Sequence, residues 1–246
     1  MTALPEVASA FGRAAEHYDG NARLQQRVAD WLLAQVDVRH GQALDLGCGT
    51  GYCLARLPQQ HRLGVDISAA MLAQAKRKAA DAELLLADAQ ALPLADDLAE
   101  LVVSSLALQW CPDLEAALAE AMRVLRPGGQ LLLALPLKGS LKELALAWGG
   151  CAGHLLPMPE AGWLRSLLPS GAELVEQRFV CHYPDLGALR QGLKGVGAHH
   201  VPNRARGLTG KGRYRAFVDA LEAQRTPDGL PLTYQVGLIR WQKPSS

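Results

Sequence analysis

The chain has 246 residues, of which 49% are hydrophobic and 20% charged, and its formal net charge is +1. That balance excludes a disordered chain and leaves a globular protein long enough to bury a substantial core. It shows no chain-wide bias toward nucleic acid, and the longest apolar runs, such as residues 131–137, are too short to cross a bilayer. Cys48, Cys53, Cys111, Cys151 and Cys181 are odd in number and none has C-x-x-C spacing, so neither a disulfide framework nor a metal site is expected. Glu6, Arg13, Glu16 and Asp19 break up the first twenty residues, which therefore do not read as a signal peptide, and a cytoplasmic protein is expected.

In chain order, residues 7–18 and 24–36 read as amphipathic helices, with Leu24, Val28, Trp31, Leu32 and Gln35 at helical spacing. Short apolar runs at 43–46, 62–65, 84–87, 101–104 and 130–135 read as strands, and 51–57, 69–78 and 114–125 as the helices between them. Continuous apolar strands alternating with helices predict an α/β fold with a mostly parallel sheet covered on both faces. Arg126-Pro127-Gly128-Gly129 reads as a turn that launches the fifth strand. Residues 139–168 read as helical, with Trp148 and Trp163 as packing anchors. A strand is predicted over 173–183, helix and loop over 186–224, and a closing strand over 232–241 after the turn Pro227-Asp228-Gly229. The expected organisation is one domain: a helical lid (1–38), a core (40–137), a helical insertion with one strand (138–230) and the closing strand (231–246).

The most informative segment is Asp45-Leu46-Gly47-Cys48-Gly49-Thr50-Gly51, a strand running into a glycine loop and then a helix. Glycines allow a tight turn and let a ligand lie against bare backbone, while the following helix start offers unpaired N–H groups. Alone the pattern is weak. Asp66, ending the second strand seventeen residues after Gly49, can accept both ribose hydroxyls of an adenosine. Asp88, followed by Ala89, ends the third strand where an adenine amino group could be read, and Asp45 can brace the loop or reach an ammonium group. A dinucleotide oxidoreductase fits less well: its fingerprint is G-x-G-x-x-G, whereas Gly51 follows Gly49 by two and position 52 is Tyr.

Leu-Asp-Leu-Gly-Cys-Gly-Thr-Gly, followed by Gly64-Val65-Asp66-Ile67-Ser68 and Met71-Leu72, resembles the class I S-adenosylmethionine-dependent methyltransferases over residues 40–137. The resemblance implies a seven-stranded Rossmann-like sheet. It also implies a cofactor site built from Asp45, Gly47, Cys48, Gly49, Gly51, Asp66, Ile67, Met71, Asp88, Ala89 and Ser105. Further segments are more particular: residues 10–19 (Ala-Phe-Gly-Arg-Ala-Ala-Glu-His-Tyr-Asp), 105–111, 139–144, 193–198 and 231–234. With these the chain resembles the malonyl-[acyl-carrier protein] O-methyltransferases of biotin synthesis essentially end to end. Gly49-Thr50-Gly51-Tyr52 stands where that family's pattern reads Gly-Pro-Gly-Trp. The resemblance implies methyl transfer to the free carboxylate of a malonyl thioester, on an acyl carrier protein or on coenzyme A.

A carboxylate is already ionised at neutral pH, so this reaction needs no general base, and no catalytic dyad stands out in the sequence. Tyr18, Gln109 and Trp110 are candidates for positioning, Tyr18 as part of a lid and the other two just beyond the fourth strand. Between Arg190 and Arg215 lie seven basic residues and no Asp or Glu. Acyl carrier proteins are acidic, so this segment is a candidate receptor. Lys194, His199, Arg204 and Arg206 are candidates for the malonyl carboxylate, and Lys211, Arg213 and Arg215 for the carrier. A solvated basic face and an RNA-binding surface are the competing readings; single-strand binders stack bases on aromatics, and here only Tyr214 and Phe217 are interleaved. Two other functions remain open: methylation of another small carboxylic acid, and a regulator that binds the cofactor without turnover.

Overall fold

The structure, a computed structural model, describes residues 4–149, 156–195 and 210–245. Seven strands form one sheet: β1 (Gln42–Leu46), β2 (His61–Asp66), β3 (Glu83–Leu86), β4 (Ala99–Ser105), β5 (Leu125–Pro136), β6 (Glu173–Tyr183) and β7 (Leu230–Gln242). Their order is β3-β2-β1-β4-β5-β7-β6. β1 to β5 run parallel, and β7 runs antiparallel to both β5 and β6. The chain steps outward from β1 to β3 and returns to β4 on the other side of β1. A crevice therefore opens beyond the C-terminal ends of β1 and β4, where ligands bind in such sheets.

The strands alternate between two apolar layers. Val102, Leu131 and Leu133 pack on one face with Leu118 and Ala121 of α5 (Leu114–Val124). Leu101, Val103 and Leu132 pack on the other with Leu24, Val28 and Leu32 of α3 (Arg23–Leu33). A strand buried on both sides shows no polar alternation, which is why β4 and β5 read as continuous apolar runs. Ser68 caps α4 (Ala69–Lys78) by accepting from the Met71 N–H at 3.4 Å, and Asp113 caps α5 by accepting from Ala116 N–H at 2.9 Å.

Before α3 the expected helix over 7–18 divides into α1 (Leu4–Ala14) and α2 (Tyr18–Asn21), separated by a turn in which the His17 N–H reaches the Ala14 carbonyl. Residues 51–57, expected as a helix, form successive turns instead. Both peptide groups of Leu54 are diverted, the N–H to the Asp45 carboxylate and the carbonyl to Arg62 Nη1 at 3.1 Å, so the helical ladder does not close there. Nor is 126–129 a separate turn. Its backbone continues β5 across a register shift, with Gly128 at φ 75° and bonded through its N–H to the Lys243 carbonyl.

Over 139–168 the described helix is limited to α6 (Lys142–Ala147) and α7 (Ala161–Ser166). Trp148 stacks on Phe217 at 4.4 Å as an anchor should, but Trp163 is 43% exposed and anchors nothing. α6 packs on α9 (Lys211–Glu222), and α8 (Leu186–Gly195) lies against β6 and α2. Leu141, Leu144, Phe217, Leu221, Leu230 and Leu232 form a third apolar core beneath this cap. Two polar clasps fix it to β7. Buried Glu143 accepts from the Thr233 N–H (2.9 Å) and Oγ1 (2.6 Å), and Ser140 Oγ accepts from the Gln235 N–H (2.9 Å).

Candidate functional site

Beyond β1 and β4 lie two adjoining hollows, of about 690 Å³ and about 450 Å³ with their open mouths included, that share Tyr18, Gly47, Gly49 and Ser105. The larger is floored by the ends of β1, β2 and β4 and lined by Asp66, Ile67, Met71, Asp88, Ala89 and Trp110. The smaller reaches under the lid and is lined by Asp45, Thr50, Cys53, Asp19 and Gln25. Ten of the cofactor candidates thus line one or both of these hollows: Asp45, Gly47, Cys48, Gly49, Asp66, Ile67, Met71, Asp88, Ala89 and Ser105.

Two glycines of the loop line the cleft. Gly47 (φ 68°) cannot carry a side chain, because a Cβ there would lie 2.2 Å from Ala107 Cβ. Gly49 (φ 52°) faces open space. Its N–H donates to Asp66 Oδ2 at 2.9 Å, while Ser68 N–H donates to Asp66 Oδ1 at 2.8 Å. Burial raises the proton affinity of Asp66, and the N–H groups of Ser68, Gly49 and Ile67 oppose that rise. Asp45 is 1% exposed, and burial together with the Asp66 charge pushes its pKa up to about 7. Its Oδ2 has no partner, and neither has Ser105 Oγ. These orphaned atoms, beside a bare glycine backbone, suit a ligand that brings its own hydrogen-bond donors.

One cofactor candidate has a second role and another sits differently from expectation. Cys48 lines the smaller hollow and also packs in a small core with Leu72 and Ala75. Gly51 lies off the cleft wall; its missing side chain lets the loop meet α4, since a Cβ would stand 3.0 Å from Ala75 Cα. Of the positioning candidates, Tyr18 and Trp110 line the cleft and Gln109 does not: its Nε2 folds back onto the Leu106 carbonyl at 2.7 Å. Trp110 is presented by a short 3₁₀ turn, Leu108–Trp110.

Phe11 of α1 was not singled out by its residue type, yet it joins the site. Its ring meets Trp110 edge-on at 5.3 Å and Tyr18 at 6.4 Å, making an aromatic roof. A second lid contact was equally hidden. Thr50 Oγ1 donates to Asp19 Oδ1 at 2.7 Å, and Lys78 Nζ pairs with Asp19 and donates to Thr50 Oγ1 at 2.9 Å. The lid is thereby latched onto the glycine loop.

Of the acceptor-side candidates, His199, Arg204 and Arg206 lie outside the described residues, as do the side chains of Lys194 (in α8) and Lys211 (in α9). Arg190, Arg213 and Arg215 are exposed, and Arg213 lies over the Trp148 ring at 6.0 Å. Because α8 touches α2, the basic segment begins beside the lid.

The methyltransferase domain profile matches residues 44–133, the span from β1 to β5. A malonyl-[acyl-carrier protein] O-methyltransferase of Alcanivorax borkumensis is 41% identical over 96% of this chain and 86% of that protein. The chain belongs to the malonyl-[acyl-carrier protein] O-methyltransferase family. A second member, from Pectobacterium atrosepticum, is 38% identical over 94% of this chain and 93% of its own length. The YcgJ protein of Bacillus subtilis, 17% identical, superposes with a TM-score of 0.64 over 89% of this chain and 99% of its own, which shows the shared fold. This family member is an S-adenosylmethionine-dependent methyltransferase with the Rossmann-like class I fold. Among the described residues no helix is long and apolar enough to cross a membrane.

Proposed function

We propose that this enzyme transfers a methyl group from S-adenosylmethionine to the free carboxylate of malonyl-[acyl-carrier protein], masking that charge early in biotin synthesis. The reading is carried by near-full-length similarity to proteins named for this reaction, at 41% identity in the first case. Asp66 would take the ribose hydroxyls and Asp88 the adenine edge, while Asp45 and the loop from Gly47 to Gly49 would hold the amino-acid end. The bound cofactor supplies an activated methyl group.

The chemistry of the cleft suits an acceptor that arrives ionised. The ionisable residues among those described along the larger hollow are Tyr18, Asp66, Asp88 and Cys111. Burial, reinforced by Asp66 and Asp19, raises the Tyr18 phenol well above its ordinary range, and burial beside Asp88 and Asp113 pushes Cys111 up to about 12. Neither is a base at neutral pH, and in this reading the carboxylates Asp66 and Asp88 would serve the adenosyl end. What the residues can do is align the reactants and exclude water. Tyr18, Trp110 and Phe11 line the space, and α8, on which the basic segment begins, touches α2. We assign that segment, from Lys194 through Arg206, to the malonyl carboxylate, and Lys211, Arg213 and Arg215 to an acidic carrier. Free Cys48, Cys53, Cys111 and Cys181 accord with a cytoplasmic setting.

The test is product formation. Enzyme and cofactor are mixed with malonyl-carrier, malonyl-coenzyme A or free malonate, and the methyl ester is sought by mass. Ester from malonyl-carrier is the expected result. S-adenosylhomocysteine binding without ester from any of the three would overturn the substrate assignment and leave the cofactor assignment intact.

A further inference from the structure

Among the described residues six buried side-chain polar atoms lack a partner, and three of them line the smaller hollow: Gln25 Oε1, Asp45 Oδ2 and Ser105 Oγ. Buried polar atoms are paired in nearly every case, and leaving one unmade is costly. Three orphans facing one space are therefore the imprint of a missing partner. An amide oxygen and a carboxylate oxygen can only accept, and a serine hydroxyl can accept as well. A partner that meets all three must bring several hydrogens, as an ammonium does. Asp19 in the same wall is no competitor, because Thr50 and Lys78 already engage its carboxylate.

The three atoms come from different parts of the fold. Asp45 lies in β1 and Ser105 ends β4, both on the rigid sheet, whereas Gln25 stands on α3 of the lid. Its neighbour Gln26 donates from Nε2 to the Asp19 carbonyl at 3.2 Å, which ties this turn of α3 to α2. We propose that Gln25 completes, with Asp45 and Ser105, a receptor for the α-ammonium group of the cofactor's amino-acid end, so that the cofactor is held by sheet and lid together. The inference rests on the cofactor and not on the acceptor. It makes α3 a binding element as well as a cover: the ammonium satisfies a residue of α3 whose side-chain oxygen has no protein partner.

Calorimetric binding to four ligands tests it: S-adenosylhomocysteine, its decarboxylated amine, its deaminated acid, and 5′-methylthioadenosine, which lacks the whole amino-acid end. Gln25→Met keeps the bulk and removes the acceptor. It is expected to weaken both amine-bearing ligands about tenfold or more, and to leave the deaminated acid and methylthioadenosine within about twofold. Gln25→Glu keeps an acceptor and is expected to bind the amine-bearing ligands within about threefold of the parent chain. Equal losses for all four ligands would mean a structural role and overturn the proposal. A loss that follows the carboxylate instead of the amine, or unchanged binding of all four by Gln25→Met, would overturn it equally.

Discussion

Asp45 is a buried carboxylate in a strand interior, and its position sets two opposite demands. In the ligand-free protein burial and Asp66 raise its pKa to about 7 from an ordinary value near 3.8. The folded state then holds the proton more tightly than the unfolded chain, so this group's contribution to stability falls as pH rises from about 4 to about 7. A bound ammonium reverses the demand, because it favours the ionised form. Asp45→Asn keeps an acceptor for the Leu54 N–H and removes the charge. It is expected to raise the ligand-free melting temperature by a few degrees above pH 7 and to weaken S-adenosylhomocysteine at least about tenfold. Melting curves at pH 5 and pH 8 check the first half, since the gain should be far smaller at pH 5. For the parent chain, cofactor affinity should rise as pH climbs through about 7, with proton release visible as a dependence of the binding heat on buffer. Asp66 differs because both of its oxygens already serve the loop. Asp66→Ala would strand the N–H groups of Gly49 and Ser68, and an equilibrium melt should show a loss of about 1–3 kcal/mol for each.

The lid, as an element, is held by contacts that cross long stretches of sequence. Thr50 meets Asp19 and Lys78, and the Tyr52 hydroxyl donates to Asp30 Oδ1 at 2.9 Å. These are the two positions at which the loop departs from the Gly-Pro-Gly-Trp pattern, and both departures supply a hydroxyl to the lid. Thr50→Val removes one such hydrogen bond while keeping the shape. A hydroxyl–carboxylate bond, charge-assisted but screened at this half-exposed ion pair to about 0.5–1.5 kcal/mol, predicts S-adenosylhomocysteine dissociating roughly two- to tenfold faster. Stopped-flow release measures this, and an unchanged off-rate would show that the latch does not hold the lid. The latch also marks the limit of what sequence discloses. Asp45, Asp66 and Asp88 were legible because strand ends and glycine spacing fix them locally. Asp19, Lys78, Phe11 and Gln25 were not, because their meaning depends on where α1 to α4 come to lie. The helix expected over 51–57 was lost to a side chain, Asp45, that captured the Leu54 N–H. Glu143 and Thr233, 90 residues apart, both fall in segments that the family resemblance picked out, yet only the fold shows them bonded.

At the scale of the whole molecule, a net charge of +1 conceals a strong asymmetry, because seven basic residues fall between Arg190 and Arg215 without one acid. The described ends of the segment are α8, which touches α2, and α9, which packs on α6. Arg215 is exposed on α9, so its charge acts on an approaching partner through water. Such charges change the rate of encounter more than the strength of the final complex, and they are screened beyond roughly 8–10 Å at ordinary salt. Arg215→Glu swaps an attraction for a repulsion. If an acidic carrier docks here, kcat/KM for malonyl-carrier should fall about three- to tenfold at low ionic strength. The deficit should shrink as salt is added, because parent and variant converge once the field is screened. The loss should appear in KM and spare kcat, since Arg215 is not among the residues lining the cleft. Malonate on a short pantetheine arm, which offers no acidic surface, separates docking from damage. A similar loss with that substrate, or a deficit insensitive to salt, would mean that Arg215 supports the cap and does not steer a carrier. Arg213 is the weaker probe, because its contact with the Trp148 ring makes its replacement a packing change as well as a charge change.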